Sequence, residues 1–362
     1  MDDLTARFET LMQRVYGPYD LSAQPDAAWE PGNAGGHRGR YLWTDAFGVI
    51  NFVTLSRETP FHGPAYLHLA RQLADTVHDV LGREREGVGS PARLPGATDA
   101  APLRGGLRIG KLSADGRDCD GMYHHYLTLW MYALDVLARA TGEARWSVLA
   151  VQLAQTIHPR FIVERDGVES MVWKITTDMS HALVGVPGHL DDVTGFVVYR
   201  MLRDTARRFG TCEDGVLTAE IEQYARIMKH HDKSKLSGDP LDLGMGLWVA
   251  HFDREAGWSH ELTNQACHIA RSSFLEAASK PITASSRRHR LAFREFGACL
   301  GIKCYEKGLE SLLDGVQAVL DVWKHIMIED ENDEDGDSTP INLVMYAAAL
   351  IPGAFRKGYL ED

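Results

Sequence analysis

The residues from Gly188 to Gly195 contain the strongest candidates for chemistry in this sequence. They read Gly-His-Leu-Asp-Asp-Val-Thr-Gly, and a largely apolar run from Phe196 to Leu202 follows them. A histidine and two adjacent acids, Asp191 and Asp192, therefore stand where a loop becomes a helix. Unpaired N–H groups and the positive end of the helix dipole stabilise carboxylates at such a position. The two acids are either helix caps, which is the commoner use of Asp there, or side chains that face a pocket.

Composition argues against several classes of protein. The chain has 362 residues, 44% of them hydrophobic, and a formal net charge of −12. This acidic balance argues against a nucleic-acid partner, which needs a basic surface, and against an anionic membrane. Five scattered cysteines without CxxC spacing predict free thiols in a reducing compartment. Since no signal-peptide pattern and no long apolar run are present, we expect a cytoplasmic protein without a membrane partner.

The segments that must position these acids have helical periodicity of two alternating kinds. Some segments are apolar on nearly every side and predict buried helices, whereas others have a single apolar face. The predicted helices cover residues 2–16, 41–57, 64–84, 123–140, 143–158, 190–209, 217–231, 240–252, 259–277, 287–305, 308–326 and 339–352. Between two of them, apolar runs that flank Asp166-Gly167 predict a β-hairpin over 161–173.

The connections between the predicted helices differ in length, and the long ones enter buried helices. The longest are 17–39, 85–119 and 161–188, whereas the turn at 141–142 is one of the short ones that leave a buried helix. Long connections usually serve function. In an antiparallel helical array they all lie on one face, above the N-terminal ends of the buried helices. The pattern predicts an all-α, single-domain (α/α)6 barrel over 1–362, with the long loops and the β-hairpin on the pocket face. The alternative is an open α-solenoid, which would have more uniform loops.

In that barrel the residues at the starts of the buried helices converge on one pocket. Acids, histidines and aromatic rings together are typical of sites for sugars and polar metabolites. The rings stack on apolar faces, and the acids bond hydroxyl groups or transfer protons. The residues expected to bind a substrate are Trp43, Lys111, Trp173, Lys174, Asp178, His189 and Asp192.

Four side chains are the candidates for catalysis: Asp191, Asp45, Asp120 and His125. Asp45 lies among apolar residues, where it has even chances of bonding loop amides instead. His124 and His125 are neighbours on a helix, so their side chains lie about 100° apart and we expect only His125 to face inward. A lone helical histidine is more often a hydrogen-bonded core residue. Arg294 and Glu295, adjacent within an apolar helix, are expected to form an internal ion pair.

Sequence motifs of several enzyme classes are missing. The chain has no GxSxG elbow, no Walker A loop and no complete GxGxxG. His260-Glu261 is not a zincin motif, because Asn264 stands where the second histidine would be. The acidic run 329–337 approaches a calcium loop, but Asn342 replaces the bidentate glutamate, which favours a solvated loop. We therefore expect no metal and no cofactor.

Several dispersed motifs resemble the six-hairpin glycosidase-like superfamily, and more closely a bacterial and fungal group within it. They are Arg38–Val49, Gly106–Lys111, His125–Thr128 with Trp130-Met131, Trp173-Lys174 with Asp178, and Arg290–Glu295. This resemblance spans roughly residues 38–300. It implies an (α/α)6 toroid with the pocket at the N-terminal ends of the inner helices.

The resemblance also implies chemistry on glycosidic bonds, commonly with carboxylates of the inner helices. The corresponding stretch of the closer group reads Gly-x-His-Asp-Pro-Leu-Asp-Gly. Aligned on Gly188 and Gly195, its first acid falls at Asp191 and its second at Thr194, which cannot act as a general acid. A two-carboxylate mechanism would therefore need another partner for Asp191. The candidates for that partner are Asp45, Asp120 and Asp192.

Three functions remain open at this point. The first is a glycosidase-like enzyme for a small polar or sugar-containing molecule, with Asp191 as general acid or base and His125, His189 and Trp43 around the substrate. The second is a biosynthetic isomerase, lyase or cyclase, including a pericyclic one. It would shape an apolar metabolite in the same pocket with groups such as Lys111 or His125. The third is a non-catalytic helical binding module. The substrate and the oligomeric state are not predicted.

Overall fold

The computed structural model describes residues 3–22, 28–86, 91–116, 118–230, 236–282, 290–305, 308–329 and 339–361. These residues form twelve main α-helices and four short strands, which confirms the predicted all-α class. In chain order the helices are α1 Asp3–Tyr16, α2 Leu42–Glu58, α3 Gly63–Leu81, α4 His124–Thr141, α5 Ala144–Phe161, α6 Asp191–Phe209, α7 Thr218–His230, α8 Pro240–Ala250, α9 Gly257–Ile269, α10 Ala292–Tyr305, α11 Leu313–Lys324 and α12 Thr339–Leu350. Helix α9 continues through a π-helical segment, Ala270–Phe274, into Leu275–Ala278, and α11 continues through a second one, His325–Glu329.

The even-numbered helices form a closed inner ring. Helix α2 packs on α4, α4 on α6, α6 on α8, α8 on α10 and α10 on α12, which returns to α2. Each odd-numbered helix lies outside the ring against an inner neighbour, and α1 completes the sixth hairpin by packing on α12. The closed ring confirms the predicted (α/α)6 barrel and excludes the open solenoid.

Helices α2 and α12 are buried on every side because other helices surround them. Every residue of α2 from Leu42 to Ser56 is buried, and so is every residue of α12 from Ile341 to Leu350. Helices α8 and α10 approach most closely at glycines, where a Cβ on Gly244 would overlap the backbone carbonyl of Gly297. Glycine stands inside these apolar helices because any side chain there would push the two backbones apart.

Short strands join the connections on the N-terminal face of the inner ring. They are β1 Met122–Tyr123, β2 Ile162–Arg165, β3 Val168–Met171 and β4 Lys174–Ile175. Strands β2 and β3 form the predicted hairpin, and its turn residues Asp166 and Gly167 have positive φ angles of 51° and 75°. Strand β1 pairs antiparallel with β4, with Met122 opposite Ile175. This pairing ends directly at the first residue of α4 and so fixes where that helix begins.

The chain after α12 turns back beneath the opposite face of the ring. A 3₁₀ turn, Gly353–Phe355, places the Phe355 ring 4.8 Å from the ring of Phe47. Trp248 donates a hydrogen bond from Nε1 to the carbonyl oxygen of Phe355 at 3.1 Å. The C-terminal residues therefore close the end of the barrel that carries the short turns, which the sequence pattern did not predict.

The described residues also bear on several smaller predictions. All five cysteines are free thiols, as their spacing predicted. Residues 287–289 of one predicted helix, and the acidic run 329–337 after its first residue, lie outside the described residues. Among the helices that are described, none is long and apolar enough to cross a bilayer. In the same part of the chain, no three His, Cys, Asp or Glu side chains are grouped as a metal site requires.

Candidate active site

Asp191 and Asp192 lie in the first turn of α6, and neither is its N-cap. The N-cap residue is Leu190, whose side chain makes no capping hydrogen bond. Both acids are almost fully buried. Asp192 accepts a hydrogen bond at Oδ1 from the backbone N–H of Val193 at 2.7 Å. Capping therefore does not explain why Asp191 is buried at the mouth of the barrel.

Two histidines converge on the carboxylate of Asp191. Nδ1 of His124 and Nδ1 of His125 each lie 3.4 Å from the same oxygen, Oδ1. The backbone N–H of His124 donates to the carbonyl of Trp173 at 3.0 Å, which holds the start of α4 in place. The prediction that only one of the two histidines faces inward is wrong, because the carboxylate lies between two side chains that diverge from adjacent positions.

His124 contacts both Asp191 and the outer helix α7. Its ring is fully buried, and Nε2 lies 2.6 Å from the hydroxyl oxygen of Tyr224. The ring of Tyr224 in turn packs on Gly195, where a Cβ would come within 2.7 Å of ring carbons. A Cβ on Gly188 would come within 2.8 Å of the Asp191 carboxyl carbon. The two glycines that bound the motif therefore make room for the acid and for the tyrosine behind it.

His125 connects the buried carboxylate to solvent. Its side chain is 38% exposed, and none of the described residues hydrogen-bonds its Nε2. Aromatic rings surround the imidazole, with centroid distances of 4.9 Å to Tyr126, 5.8 Å to Tyr123 and 6.1 Å to Trp43. The side chain therefore presents one ring nitrogen to a buried acid and leaves the other for a bound molecule.

Asp191 is an ionised carboxylate with one oxygen that is buried without a hydrogen-bond partner among the described residues. Burial would raise the pKa of Asp191, but hydrogen bonding and charge from His124 and His125 outweigh burial and hold that pKa far below its usual value. At 3.4 Å both contacts are long for charge-assisted hydrogen bonds. Oδ2 has no hydrogen-bond partner among the described residues. At neutral pH Asp191 can orient an imidazole, but it has no proton to give.

Asp45 lies deeper than the other candidates. The side chain is wholly inaccessible, and Oδ1 lies 3.3 Å from the Arg40 guanidinium, which also bonds the carbonyls of Gly32 and Gly39. Burial raises the pKa of Asp45 to about 6, although the Arg40 charge acts in the opposite direction. The pair ties the chain before α2 to the helix, and Asp45 has no surface that a ligand could touch.

Asp120 is saturated with hydrogen bonds. Its Oδ2 accepts from two arginines, Arg85 and Arg108, at 2.7 Å each. Its Oδ1 accepts from the backbone N–H groups of Gly110, Lys111 and Gly121 at 3.0 to 3.2 Å. Five donors on one buried carboxylate hold the long connection 85–119 against the start of α4. This arrangement leaves no lone pair for a substrate.

Two predicted aromatic contacts lie beside His125. Trp43 is buried at the start of α2 and donates from Nε1 to Sδ of Met345 at 3.3 Å. Trp173 is half-buried, and its ring centroid lies 5.0 Å from that of Tyr123 and 6.4 Å from that of His125. The structure therefore brings Trp43 and Trp173 together with His125 and Asp191.

The remaining predicted residues have other surroundings. Lys174 is buried with Nζ 3.6 Å from Sγ of Cys119, and Lys111 pairs with Asp118 at 2.9 Å. Asp178 is exposed in a turn, where hydrogen bonds from Thr176 and Ser180 lower its pKa to about 2. His189 is 56% exposed and its Nδ1 lies 4.0 Å from Oδ2 of Asp242.

Arg294 and Glu295 do not pair with each other, so that prediction is wrong. Arg290 binds Glu295 with two hydrogen bonds, of 2.8 and 2.6 Å, and Arg294 forms an ion pair with Asp239. Adjacent side chains on a helix diverge by about 100°, and here each of the two finds a partner outside this helix.

The sequence interpretation missed Tyr224. This residue belongs to the outer helix α7, and nothing in its local sequence indicates that it reaches the site.

The comparisons with known proteins concern the fold. No protein-family model and no curated protein matches this chain. The family 76 α-mannanase BT2949 of Bacteroides thetaiotaomicron superposes with a TM-score of 0.60 at 9% identity, over 100% of this chain and 98% of that one. The mannosidase Bt3792 of the same family, from strain VPI-5482, gives 0.54 at 13% identity over 97% and 99% of the two chains. A family 76 glycoside hydrolase from a bovine strain gives 0.56 at 13% identity, over 96% of this chain and 77% of that one.

Identities this low establish the architecture and nothing finer. The closed ring of six hairpins, its long loops on one face and these superpositions agree with the resemblance of the dispersed motifs. The chain has the closed (α/α)6 fold that these family 76 proteins share.

Proposed function

We propose that this protein is an enzyme that moves a proton on a small, hydroxyl-rich molecule, with His125 as general acid or base. The observation that carries the proposal is the contact between Nδ1 of His125 and the buried, ionised carboxylate of Asp191 at 3.4 Å. A carboxylate beside one ring nitrogen fixes the imidazole's orientation and leaves the other nitrogen to exchange protons. Such a positioned base typically contributes about 10²–10⁴-fold to a rate.

The substrate class follows from the rings around His125. Tyr126 and Trp173, which are half-buried, offer apolar faces beside His125, while the partly exposed imidazole offers a polar contact. Sugar rings carry C–H groups on their faces and hydroxyl groups at their edges, so they match this mixture. The hydrolysis of mannans by proteins of the same fold supports a carbohydrate substrate here.

The surroundings of the acids favour isomerisation or epimerisation over hydrolysis. Hydrolysis of a glycosidic bond needs two carboxylates about 5–9.5 Å apart that both reach the substrate. Asp45 is inaccessible beside Arg40, and Asp120 is held by five donors. Removal of the proton on the carbon next to a sugar carbonyl, and delivery of a proton to the adjacent carbon or to the opposite face of the same carbon, needs no second carboxylate.

Incubation of the protein with reducing mono- and disaccharides in deuterium oxide tests this proposal. We expect proton NMR to show deuterium replacing the hydrogen next to the carbonyl in at least one sugar. His125→Ala and Asp191→Asn should lower that rate at least about 100-fold, whereas Asp99→Asn, at a fully exposed position away from the site, should not. No exchange in any sugar, or full exchange in both variants, would overturn the proposal.

Hydrolysis of an α-mannoside is the second candidate. Its support is Asp242, which is 30% exposed, lies 4.0 Å from His189 and could serve as a second carboxylate. Release of nitrophenol from aryl α-mannosides, lost in both Asp191→Asn and Asp242→Asn, would favour hydrolysis over the exchange reaction. Saturable sugar binding without deuterium exchange and without nitrophenol release would favour a non-catalytic binding module.

A further inference from the structure

A cavity of about 320 Å³ lies at the end of the barrel opposite His125 and Asp191. Its walls come from the C-terminal halves of α4 and α6, from the residues after α8 and from the C-terminal segment 356–361. The volume is at the lower end of the range for small-molecule sites. Asp135 on this cavity stands eleven residues after His124 along α4, which corresponds to about 16 Å of helix.

Asp135 is a buried acid on the wall of this cavity, and only one of its two carboxylate oxygens has a hydrogen-bond partner among the described residues. Asp135 is 1% exposed, and its Oδ2 accepts a hydrogen bond from Nε of Arg139 at 2.9 Å. Its Oδ1 has no hydrogen-bond partner among the described residues. Buried carboxylate oxygens are nearly always bonded. Because Arg139 already balances the charge of Asp135, a neutral hydroxyl group suits the free oxygen better than a second cation.

The rest of the lining favours an anion. Five basic and four acidic side chains line the cavity, although the whole chain has a net charge of −12. Arg200 is paired with Asp253 at 2.6 Å. Arg208, exposed on α6, has no hydrogen bond or ion pair with any described residue. The cavity thus offers an unpaired acceptor at Asp135 and an unpaired cation at Arg208.

We propose that this cavity binds a small polyol that carries an anionic group, such as a sugar phosphate. A hydroxyl group of the ligand donates to Oδ1 of Asp135, and its anionic group lies against Arg208. The site does not depend on the proposed reaction, because none of its lining residues belongs to the group around His125. It does share α4 and α6 with that group, since each helix carries one site at each end.

Isothermal titration calorimetry with glucose 6-phosphate, glucose and inorganic phosphate tests this assignment. We expect saturable binding of glucose 6-phosphate and at least about 10-fold weaker binding of the other two, since each lacks one of the two contacts. Equal affinity for inorganic phosphate would overturn the role of Asp135, and equal affinity for glucose would overturn the role of Arg208. No saturable binding of glucose 6-phosphate would overturn the site.

Two variants and a control locate the binding. Arg208→Ala changes an exposed side chain and should weaken the binding of glucose 6-phosphate about 10-fold or more without affecting folding. Asp135→Asn should weaken it to a similar extent, and circular dichroism checks that this buried variant folds. Arg207→Ala removes the neighbouring arginine, which does not line the cavity, and should bind as the wild type does. Unchanged binding in Arg208→Ala would contradict the proposal even if Asp135→Asn failed to fold.

Discussion

Asp120 and Asp191 are buried carboxylates at the starts of neighbouring inner helices, and their partners separate their roles. Asp120 accepts hydrogen bonds from two arginines and three backbone amides. Asp191 has two imidazoles 3.4 Å from one oxygen and no partner among the described residues at the other. The donors around Asp120 hold a loop, whereas Asp191 contacts the partly exposed imidazole of His125. At this end of the barrel, therefore, contact with an exposed histidine distinguishes Asp191 from Asp120, because both acids are buried.

The largest effect is expected from removing the saturated acid. Asp120→Ala leaves Arg85 and the buried Arg108 without their carboxylate, so the free energy of unfolding should fall by about 3–5 kcal/mol. Urea denaturation followed by circular dichroism measures this loss. Asp118→Ala is the control, because Asp118 is 78% exposed and Lys111 is its one ion-pair partner among the described residues. This variant should change stability by less than about 0.5 kcal/mol. Equal losses of unfolding free energy in the two variants would contradict the structural role assigned to Asp120.

Asp45 adds a third buried acid to the comparison, with the opposite pKa shift. Burial raises its pKa to about 6, above the value of about 3.9 in an unfolded chain, so the folded state holds the proton more tightly. Protonated Asp45 therefore stabilises the folded state at low pH, and this stabilisation is lost as the pH rises through about 6. The unfolding free energy of the wild type relative to Asp45→Asn should fall by about 3 kcal/mol between about pH 3.5 and about pH 7.5. A difference that did not change with pH would contradict the burial of Asp45.

Gly188 tests whether the position of the Asp191 carboxylate matters. Gly188→Ala would place a Cβ 2.8 Å from the carboxyl carbon of Asp191 and 3.3 Å from Cβ of Trp173, so it should cost about 1–3 kcal/mol of stability and lower the exchange rate. Gly185→Ala lies in the same connection, and its Cβ would meet nothing closer than 3.9 Å. Thermal unfolding and the deuterium assay compare the two. Matching behaviour of both variants would show that the space beside Asp191 is not needed.

The smallest effect is expected from removing the tyrosine hydroxyl group that contacts His124. Tyr224→Phe removes the hydroxyl 2.6 Å from Nε2 of His124 and should cost about 1 kcal/mol of stability. It should also slow exchange several-fold, because His124 helps to hold Asp191. Tyr346→Phe removes a buried hydroxyl that bonds the Leu320 carbonyl at 3.1 Å, and it should cost similar stability without slowing exchange. If both variants slowed exchange equally, His124 would have no specific role.

Much of the fold was readable from the sequence because helical periodicity is a local property. The predicted helix 190–209 is observed as Asp191–Phe209, and the Asp-Gly turn of the β-hairpin is where it was expected. The long connections also predicted which face carries the candidate site. Ring closure followed from the count of buried and amphipathic helices, and packing of α12 on α2 confirms it.

The partners of the acids were not readable, because they are distant in the chain. Asp120 meets Arg85 and Arg108 across an irregular connection that has no periodicity. Asp191 meets His124 only because β1 and β4 pair just before α4. A sequence shows that an acid begins a helix, but the number of donors around it depends on packing in three dimensions.

The most direct test of the central claim is the protonation of His125 in protein labelled with nitrogen-15 histidine. If Asp191 holds this ring, Nδ1 carries a proton near neutral pH, and Asp191→Asn shifts the proton toward Nε2. A His125→Asn spectrum assigns the signals, and Asp178→Asn, on an exposed turn, should leave them unchanged. An unprotonated Nδ1 in the wild type, or identical His125 signals in the wild type and Asp191→Asn, would contradict the claim.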